Sequence, residues 1–163
     1  MTMTSNQAKQ TEDTSVGVPP TPSEAHQIAA LTMTEIFGEP IHIYTRQQAI
    51  EDGYLVDVSN VAKDAGFRFP VAMTRAAWDD CVAWTEEDSQ RQVYQDEAGR
   101  LWDVVWMASL AARRGSGERL AFQLYRVPRG ARGVQPRLVS LHVAIGPGDQ
   151  GEPVVTLLLP NED

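Results

Sequence analysis

Residues 119–159, RLAFQLYRVPRGARGVQPRLVSLHVAIGPGDQGEPVVTLLL, decide the fold class of this chain. Apolar and polar residues alternate over 120–126 and over 138–145, which is typical of strands with one buried face. The continuous apolar run at 154–159 predicts a third strand. Because the links between the three are short and rich in Gly and Pro, an antiparallel meander is predicted.

Two longer helices are predicted before these strands, at Arg75–Thr85 after a Thr74 cap and at Arg100–Arg114 before Gly115. The second helix is apolar on nearly all sides, which predicts burial on several sides and packing on the sheet's apolar face. It carries two apolar stripes, the first formed by Leu101, Val105, Ala108 and Ala112 and the second by Trp102, Trp106 and Leu110.

Smaller elements are predicted upstream of these helices. Thr45 and Gln48 form a capping box for a short helix that Gly53 ends, and Ser59 is predicted to cap another that Gly66 ends. Phe67–Phe69 alternates like a strand that ends at Pro70, and residues 86–98 are charged and predicted to be a loop. Ile41–Ile43 predicts a short strand.

The domain organisation follows from these elements. Residues 1–38 are predicted to be a disordered tail with a possible short helix at 23–37, since residues 1–22 are polar and Pro-rich. Residues 39–163 are predicted to form a single α+β domain. Small helices and short strands come first, and two longer helices and a C-terminal three-stranded antiparallel sheet follow.

Charge is sorted into two blocks. Eight acidic residues and two arginines lie between Asp79 and Asp103, whereas seven arginines and one glutamate lie between Arg113 and Arg137. The stretch Val104–Ala112 between them is uncharged and almost entirely apolar. Opposed charges beside an apolar segment suit docking, either against a partner or against each other.

The composition narrows the class of protein. A net charge of −8 disfavours sequence-independent nucleic-acid binding, because an acidic protein repels phosphate backbones. The single cysteine suits a reducing compartment, and the polar N-terminus does not resemble a signal peptide. The chain lacks an apolar run of about 18 residues that could span a membrane. We therefore expect a cytoplasmic protein without membrane contact.

Residues that could perform catalysis are few. Cys81 shares a helix face with Trp78 and Val82, which predicts an inert buried thiol. His142 shares a strand face with Ser140 and stays a weak acid–base candidate, since a lone exposed histidine is more often simply solvated. The three histidines are widely spaced and the glycine-rich turn 146–151 links two strands, so neither a metal site nor a cofactor is expected. The chain is more consistent with a binding protein than with an enzyme.

Four groups of residues form distinctive strings: Tyr44–Gly53 with Leu55–Asp57, Ala65–Val71 with Thr74 and Trp78, Asp96–Asp103, and Gly146–Asp149 with Gly151–Pro153. Through them, residues 40–163 resemble a bacterial family of unknown function that is often found on plasmids and other mobile elements. The resemblance brings no catalytic residues. It implies an accessory protein of mobile DNA, and such proteins commonly counter host restriction or CRISPR systems or tune transfer and maintenance.

These observations lead to a first hypothesis, a non-enzymatic protein of a mobile element that binds and inhibits a host-defence complex. Trp102 and Trp106 are either core residues or anchors for a partner or a homodimer. The alternatives are a small nucleic-acid-binding regulator, if the arginines are not paired with the acids, and an unrecognised enzyme that uses His142. The acidic binding residues are Asp79, Asp80, Glu86, Glu87 and Asp88, and the alternative nucleic-acid-binding residues are Arg126, Arg129, Arg132 and Arg137.

Overall fold

The computed structural model describes residues 21–22, 44–130 and 133–163. The chain divides into two units, Met1–Ile43 and Tyr44–Asp163, and the second contains the elements below. The helix predicted at 23–37, the strand predicted at 41–43 and nearly all of the predicted tail lie outside the described residues.

The elements of the second unit alternate between short helices and strands before one long helix and a strand meander. In chain order they are α1 (Arg46–Glu51), β1 (Leu55–Asp57), α2 (Ser59–Asp64), β2 (Val71–Thr74), α3 (Arg75–Cys81), α4 (Glu86–Arg91), α5 (Glu97–Arg114), β3 (Arg119–Arg126), β4 (Arg137–Pro147) and β5 (Pro153–Leu158).

The five strands form one mixed sheet with the order β1-β2-β5-β4-β3. The predicted meander is confirmed, because β3 pairs antiparallel with β4 and β4 pairs antiparallel with β5. The predicted extent of the sheet is wrong, because β5 also pairs in parallel with β2, which in turn pairs antiparallel with β1. The fold is therefore α+β, with a sheet that joins the first and last parts of the unit.

The core lies between one face of this sheet and α5. Met73 of β2, Leu141 of β4 and Leu157 of β5 are fully buried, and Val104 and Ala108 of α5 are fully buried in the same cluster. Each strand contributes every second residue to this face, as the pleat requires. The alternation in the sequence therefore predicted the correct face for β3 and β4.

Capping interactions define the short helices. The capping box of Thr45 and Gln48 is confirmed at α1. At α2 the prediction is wrong, because Ser59 is the first helical residue and Val58 occupies the cap position. The Asp57 carboxylate accepts hydrogen bonds from the backbone N–H and the hydroxyl of Ser59. It therefore binds a backbone N–H at the start of the helix, as a capping serine would have done.

The loop prediction for residues 86–98 is wrong over its first half. Thr85 does not belong to α3, which ends at Cys81, but forms the N-cap of α4 in a capping box with Asp88. The string Thr85-Glu-Glu-Asp88 is a start signal with acidic residues in the first turn, and it favours a helix there. The high charge of the segment reflects the exposure of α4, which buries none of its residues.

The strand prediction at Phe67–Phe69 is also wrong. This segment has no regular structure, and β2 begins only after Pro70, at Val71. The Pro70 carbonyl accepts a hydrogen bond from the Val155 N–H, so the proline stands where the parallel ladder begins. Its missing N–H is compatible with that position, because a proline is tolerated at the start of a strand.

We predict that Leu157→Ala lowers the free energy of unfolding by about 2–5 kcal/mol, since it leaves a cavity where the two halves of the sheet meet. Urea denaturation followed by tryptophan fluorescence measures the effect. Leu138→Ala, at a side chain that is 50% exposed on β4, is the control and should cost about 1 kcal/mol or less. Equal costs for the two variants would contradict this account of the core.

Candidate interaction surface

Helix α5 begins one turn earlier than predicted. Asp96 is its N-cap and accepts a hydrogen bond from the Gly99 N–H at 3.0 Å. Arg113 and Arg114 lie in its last turn, where positive charge complements the helix dipole, and the helix ends before Gly115. A side-chain carbon at Gly115 would lie 2.6 Å from a methyl carbon of Leu120, so glycine is needed where β3 turns back under the helix.

The two apolar stripes of α5 have different environments. The first stripe packs on the sheet, with Val105 and Ala108 fully buried. The prediction of burial on several sides is wrong for the second stripe, because Trp102 and Trp106 are each 39% exposed. The helix therefore covers the sheet with one side and presents tryptophan on the other.

The two tryptophans form one aromatic surface. Their rings stack with centroids 5.8 Å apart and an interplanar angle of 19°. Arg113 extends this surface, because its guanidinium carbon lies 5.9 Å from the centroid of Trp106 while its Nη2 donates to the Ala65 carbonyl at 2.8 Å. The guanidinium of Arg113 is therefore held between Ala65 and Trp106, at one flank of the tryptophan surface.

An apolar groove continues from the tryptophans toward the sheet. Leu110, the third residue of the second stripe, lines it, and the opposite wall is β3. Its volume is about 370 Å³. The lining residues are Met107, Leu110, Ala111, Arg114 and Gly115 of the helix side and Leu120, Ala121 and Phe122 of the strand.

A second apolar cavity, of about 240 Å³, opens at the other flank of α5. Phe67 and Phe69 form part of its wall, and Arg68 and Arg113 lie at its rim. Phe69 is 47% exposed. The segment that was predicted to be a strand thus supplies aromatic side chains beside the tryptophan surface.

The opposed charge blocks are partly paired with each other. Arg126 binds Asp80 through two nitrogens, with Nη2 2.8 Å from Oδ1 and Nε 3.3 Å from Oδ2. Arg129 donates from Nε to Asp88 Oδ2 at 2.8 Å. Asp80 and Asp88, both predicted to bind a partner, therefore hold the end of β3 against α3 and α4.

The remaining predicted charges are more available. Asp79, Glu86 and Glu87 are exposed, and Glu87 makes a surface ion pair with Arg91. Arg137 is exposed and has no hydrogen bond or ion pair to another described residue, and Arg132 lies outside the described residues. The acidic surface is thus reduced to three of its five predicted members.

Arg100 is a structural residue that the sequence analysis missed. In the sequence it is one of the two arginines within the acidic block, but only 6% of it is exposed. Its guanidinium lies 4.6 Å from the ring centroid of Trp84 and donates to the Val82 and Val127 carbonyls. Burial lowers its pKa from the ordinary value, and Asp80 and Asp88 offset part of that effect at longer range. Arg100 stands four residues before Val104 and eight before Ala108, on the buried side of the helix, and this spacing was the available signal.

Neither Cys81 nor His142 is arranged as a catalytic group. Cys81 is buried as predicted, and burial, with a contribution from Asp80, raises the pKa of its thiol to about 12, so it stays protonated. His142 lies on the outer face of the sheet, where its Nδ1 accepts a hydrogen bond from Arg119 Nε at 2.7 Å. That bond occupies the ring nitrogen through which a carboxylate would orient a catalytic histidine.

A polar cavity of about 220 Å³ brings together three of the distinctive strings. Arg46, Asp57, Asp149 and Glu152 line it. The Asp149 carboxylate accepts from the backbone N–H groups of Arg46 and Gln47, while the Arg46 guanidinium donates to β5. These contacts tie α1 to the β4–β5 turn, so the strings have a structural role that their separation in sequence conceals.

The described residues contain neither a candidate metal site nor a candidate membrane span. Their His, Cys, Asp and Glu side chains nowhere gather in threes in an arrangement that could hold a metal ion. Across the same part of the chain, none of the helices combines the length and apolarity that crossing a membrane requires.

Residues 33–163 match the model of a family of unknown function, DUF6573. The chain belongs to this family. A 51-residue segment is also 35% identical to part of an Escherichia coli protein, the type I restriction enzyme EcoAI endonuclease subunit. That segment is 31% of this chain and only 6% of the subunit. No solved structure matches the chain.

For this DUF6573 member we predict that the Asp80–Arg126 pair contributes a coupling energy of about 1 kcal/mol to folding, because the pair is bidentate and Arg126 is 14% exposed. A double-mutant cycle with Asp80→Asn and Arg126→Gln measures it by denaturation. The exposed Glu87–Arg91 pair, four residues apart on α4, is the control and should couple by about 0.5 kcal/mol or less. Coupling near zero in the first cycle would mean that the two charge blocks do not stabilise the fold.

Asp88 should make stability depend on pH. Hydrogen bonds from Thr85 and then the Arg129 contact hold its pKa below the ordinary value. A lowered folded-state pKa stabilises the protein above the unfolded-state pKa, and the contribution is lost as pH falls from about 4 through the folded-state value. The stability difference between wild type and Asp88→Asn should therefore be constant above about pH 5 and shrink below pH 4 in thermal melts. A difference that persists undiminished at low pH would contradict this assignment.

Proposed function

We propose that this protein is a non-enzymatic interaction protein, carried by a mobile genetic element, that binds and inhibits a host-defence complex in the cytoplasm. The observation that carries the proposal is the stacked, exposed pair Trp102 and Trp106 on α5. Tryptophan is enriched at the centres of protein interfaces, where it contributes a large share of the binding energy. Large apolar side chains left at the surface beside a groove commonly mark such an interface.

The surroundings of the tryptophans favour a protein as the ligand. The aromatic pair continues into the apolar groove through Leu110 and into the cavity beside Phe69, so a partner would bury one extended apolar surface. Asp103 on α5 and the exposed acids Asp79 and Glu86 lie outside this apolar surface. An apolar centre with charged surroundings is the usual organisation of a protein interface.

A type I restriction enzyme is the first candidate target. The local similarity to an endonuclease subunit supports this choice, because an inhibitor that shares a segment with a subunit can compete for that subunit's contacts. The acidic surface adds support, since enzymes that handle DNA present basic surfaces to which acidic proteins are attracted. A CRISPR complex has the same general charge character and is the second candidate.

The nucleic-acid-binding alternative loses support in the folded protein, because two of its arginines are paired with acidic residues. Of its four arginines, Arg126 and Arg129 are engaged with Asp80 and Asp88, which leaves Arg137 as the described residue that is free to meet a phosphate. Arginines that are already paired with carboxylates release fewer counterions when a nucleic acid binds. The affinity for nucleic acid and its dependence on salt would therefore both be low.

A restriction assay tests the proposal. Unmodified plasmid DNA is introduced into E. coli cells that carry a type I restriction system, with and without expression of the protein. We expect expression to raise the recovery of transformants at least tenfold. Trp102→Ala with Trp106→Ala should abolish the increase, because losing two interface tryptophans weakens binding by roughly a hundredfold or more.

The restriction assay has two controls. DNA that already carries the host modification should be recovered equally with and without the protein. Tyr125→Ala removes an aromatic side chain that is 69% exposed on the outer face of the sheet, away from the tryptophans, and should leave protection intact. Protection that survives the double tryptophan change would rule out this surface, and lack of protection by the wild type would rule out a type I target.

A further inference from the structure

β3 is an edge strand of the described sheet, and the groove beside α5 runs along it. We propose that this edge and the groove beside it bind an extended segment of the partner as an added β-strand, with apolar residues at the alternate positions that face the groove and acidic residues at its two ends. This inference rests on the proposed function, since it specifies how the protein partner is recognised. It is carried by backbone geometry, by the groove and by charge.

On the side away from β4, the backbone of β3 pairs with no other described strand. Ile145 N–H donates to the Glu118 carbonyl at 2.7 Å, so Glu118 and every second residue after it direct their backbone groups toward β4. The alternate residues of β3 direct their backbone N–H and C=O groups to the open edge. These residues are Arg119, Ala121, Gln123 and Tyr125. The hydrogen bond from Gly148 N–H to the Glu152 carbonyl agrees with this alternation. It shows that the even-numbered residues of β4 direct their backbone groups toward β5, so the odd-numbered ones direct theirs toward β3.

This edge lacks the features that usually protect an edge strand. β3 is eight residues long and contains no proline, and its central residues Ala121–Leu124 are uncharged. The opposite edge of the described sheet, β1, has three residues and offers little length for pairing. Long, unprotected edges are templates for an additional strand, and several peptide-binding domains use them in this way.

The groove supplies pockets for alternate side chains of the added strand. A strand that pairs with β3 would direct every second side chain to the face that carries Leu120 and Phe122, where Met107 and Leu110 of α5 form the far wall. Those side chains must be apolar to match the lining. The groove is also continuous with the tryptophan stripe through Leu110, so one partner segment can contact both.

Charge selects the rest of the segment. Arg119 and Arg126 stand at the two ends of β3, Arg114 lines the groove, and Arg137 lies opposite Arg126 on β4. Arg114 and Arg137 have no ion-pair partner among the described residues. Arg114 lies near the Leu120 end of the groove and Arg137 at the Arg126 end, so acidic residues at the two ends of the added strand would meet unpaired positive charge. A second copy of this chain is disfavoured, because its own β3 would bring the same arginines to the interface.

A peptide of defined sequence tests the inference directly. The probe is a fluorescein-labelled peptide of alternating Val and Thr with Glu at both ends, as long as β3, and its binding to the full chain is measured by fluorescence anisotropy. A peptide with Lys in place of Glu, and the Glu-ended peptide N-methylated at alternate residues, are the controls. We expect binding of the first peptide and at least tenfold weaker binding of both controls, which lack the charge and the hydrogen bonds respectively.

Ala121→Pro is the decisive variant. The Ala121 N–H faces the open edge, so proline there removes no hydrogen bond to β4 but blocks an added strand. It should weaken peptide binding at least tenfold, whereas Ala121→Val, which keeps the N–H, should weaken it much less. Thermal melts check that both variants fold. Arg114→Glu is a second variant outside the sheet and should weaken binding of the acidic peptide by a similar factor.

Distinct outcomes separate this inference from the proposed function. If Ala121→Pro protects plasmid DNA as well as wild type while the tryptophan variant does not, the edge is not the recognition element and the tryptophan surface stands. Equal binding of the Lys and Glu peptides would overturn the choice of an acidic segment. Concentration-dependent light scattering without peptide that disappears in Ala121→Pro would make a second copy the occupant and overturn the inference.

Discussion

The parallel pairing of β2 with β5 is the constraint on which the rest of the structure depends. It joins a strand near the start of the unit to the last strand, with α3, α4, α5 and two further strands in between. Met73 pairs with Leu157 across this junction, and both side chains are fully buried. Because β5 is paired on both sides, its backbone groups are satisfied inside the sheet. Once this junction forms, α5 has a continuous apolar face to cover and β3 is left at the edge.

Electrostatics has a structural role before it has a functional one. The acidic and basic blocks flank α5 in the sequence, and folding brings Arg126 to Asp80 and Arg129 to Asp88. These contacts fix the end of β3 against the helices, while the buried Arg100 links the Val82 and Val127 carbonyls beneath them. The acids that stay exposed therefore form a smaller surface than their number in the sequence indicates. The tryptophan surface and the groove, rather than the charge blocks, are the main candidates for partner binding.

Much of the local structure could be predicted, and the errors share a cause. The Thr45 and Thr74 caps, the three C-terminal strands and the inert Cys81 follow from signals that lie within a few residues of each other. The errors at Phe67–Phe69 and in the number of strands concern segments whose partners are far away in the chain. Val71–Thr74 forms a strand because β1 and β5 supply hydrogen bonds on both sides, and nothing in those four residues reveals that. The missed helix α4 is different, since the capping box at Thr85 was present and the high charge of the segment hid it.

By itself, the sequence determined which residues are apolar, where the helices capped by Thr45 and Thr74 start, and which face of β3 and of β4 is buried, because these follow from backbone periodicity and capping chemistry. Only the tertiary structure decided how many sides of α5 are covered. The sheet can cover only one side of a helix, and no second layer of the described chain packs over Trp102 and Trp106. The tertiary structure also decided which charges neutralise each other, since attraction over a few ångströms depends on contacts that the order of residues does not contain. The same is true of the open edge of β3, which exists because β4 is the one described strand that pairs with β3.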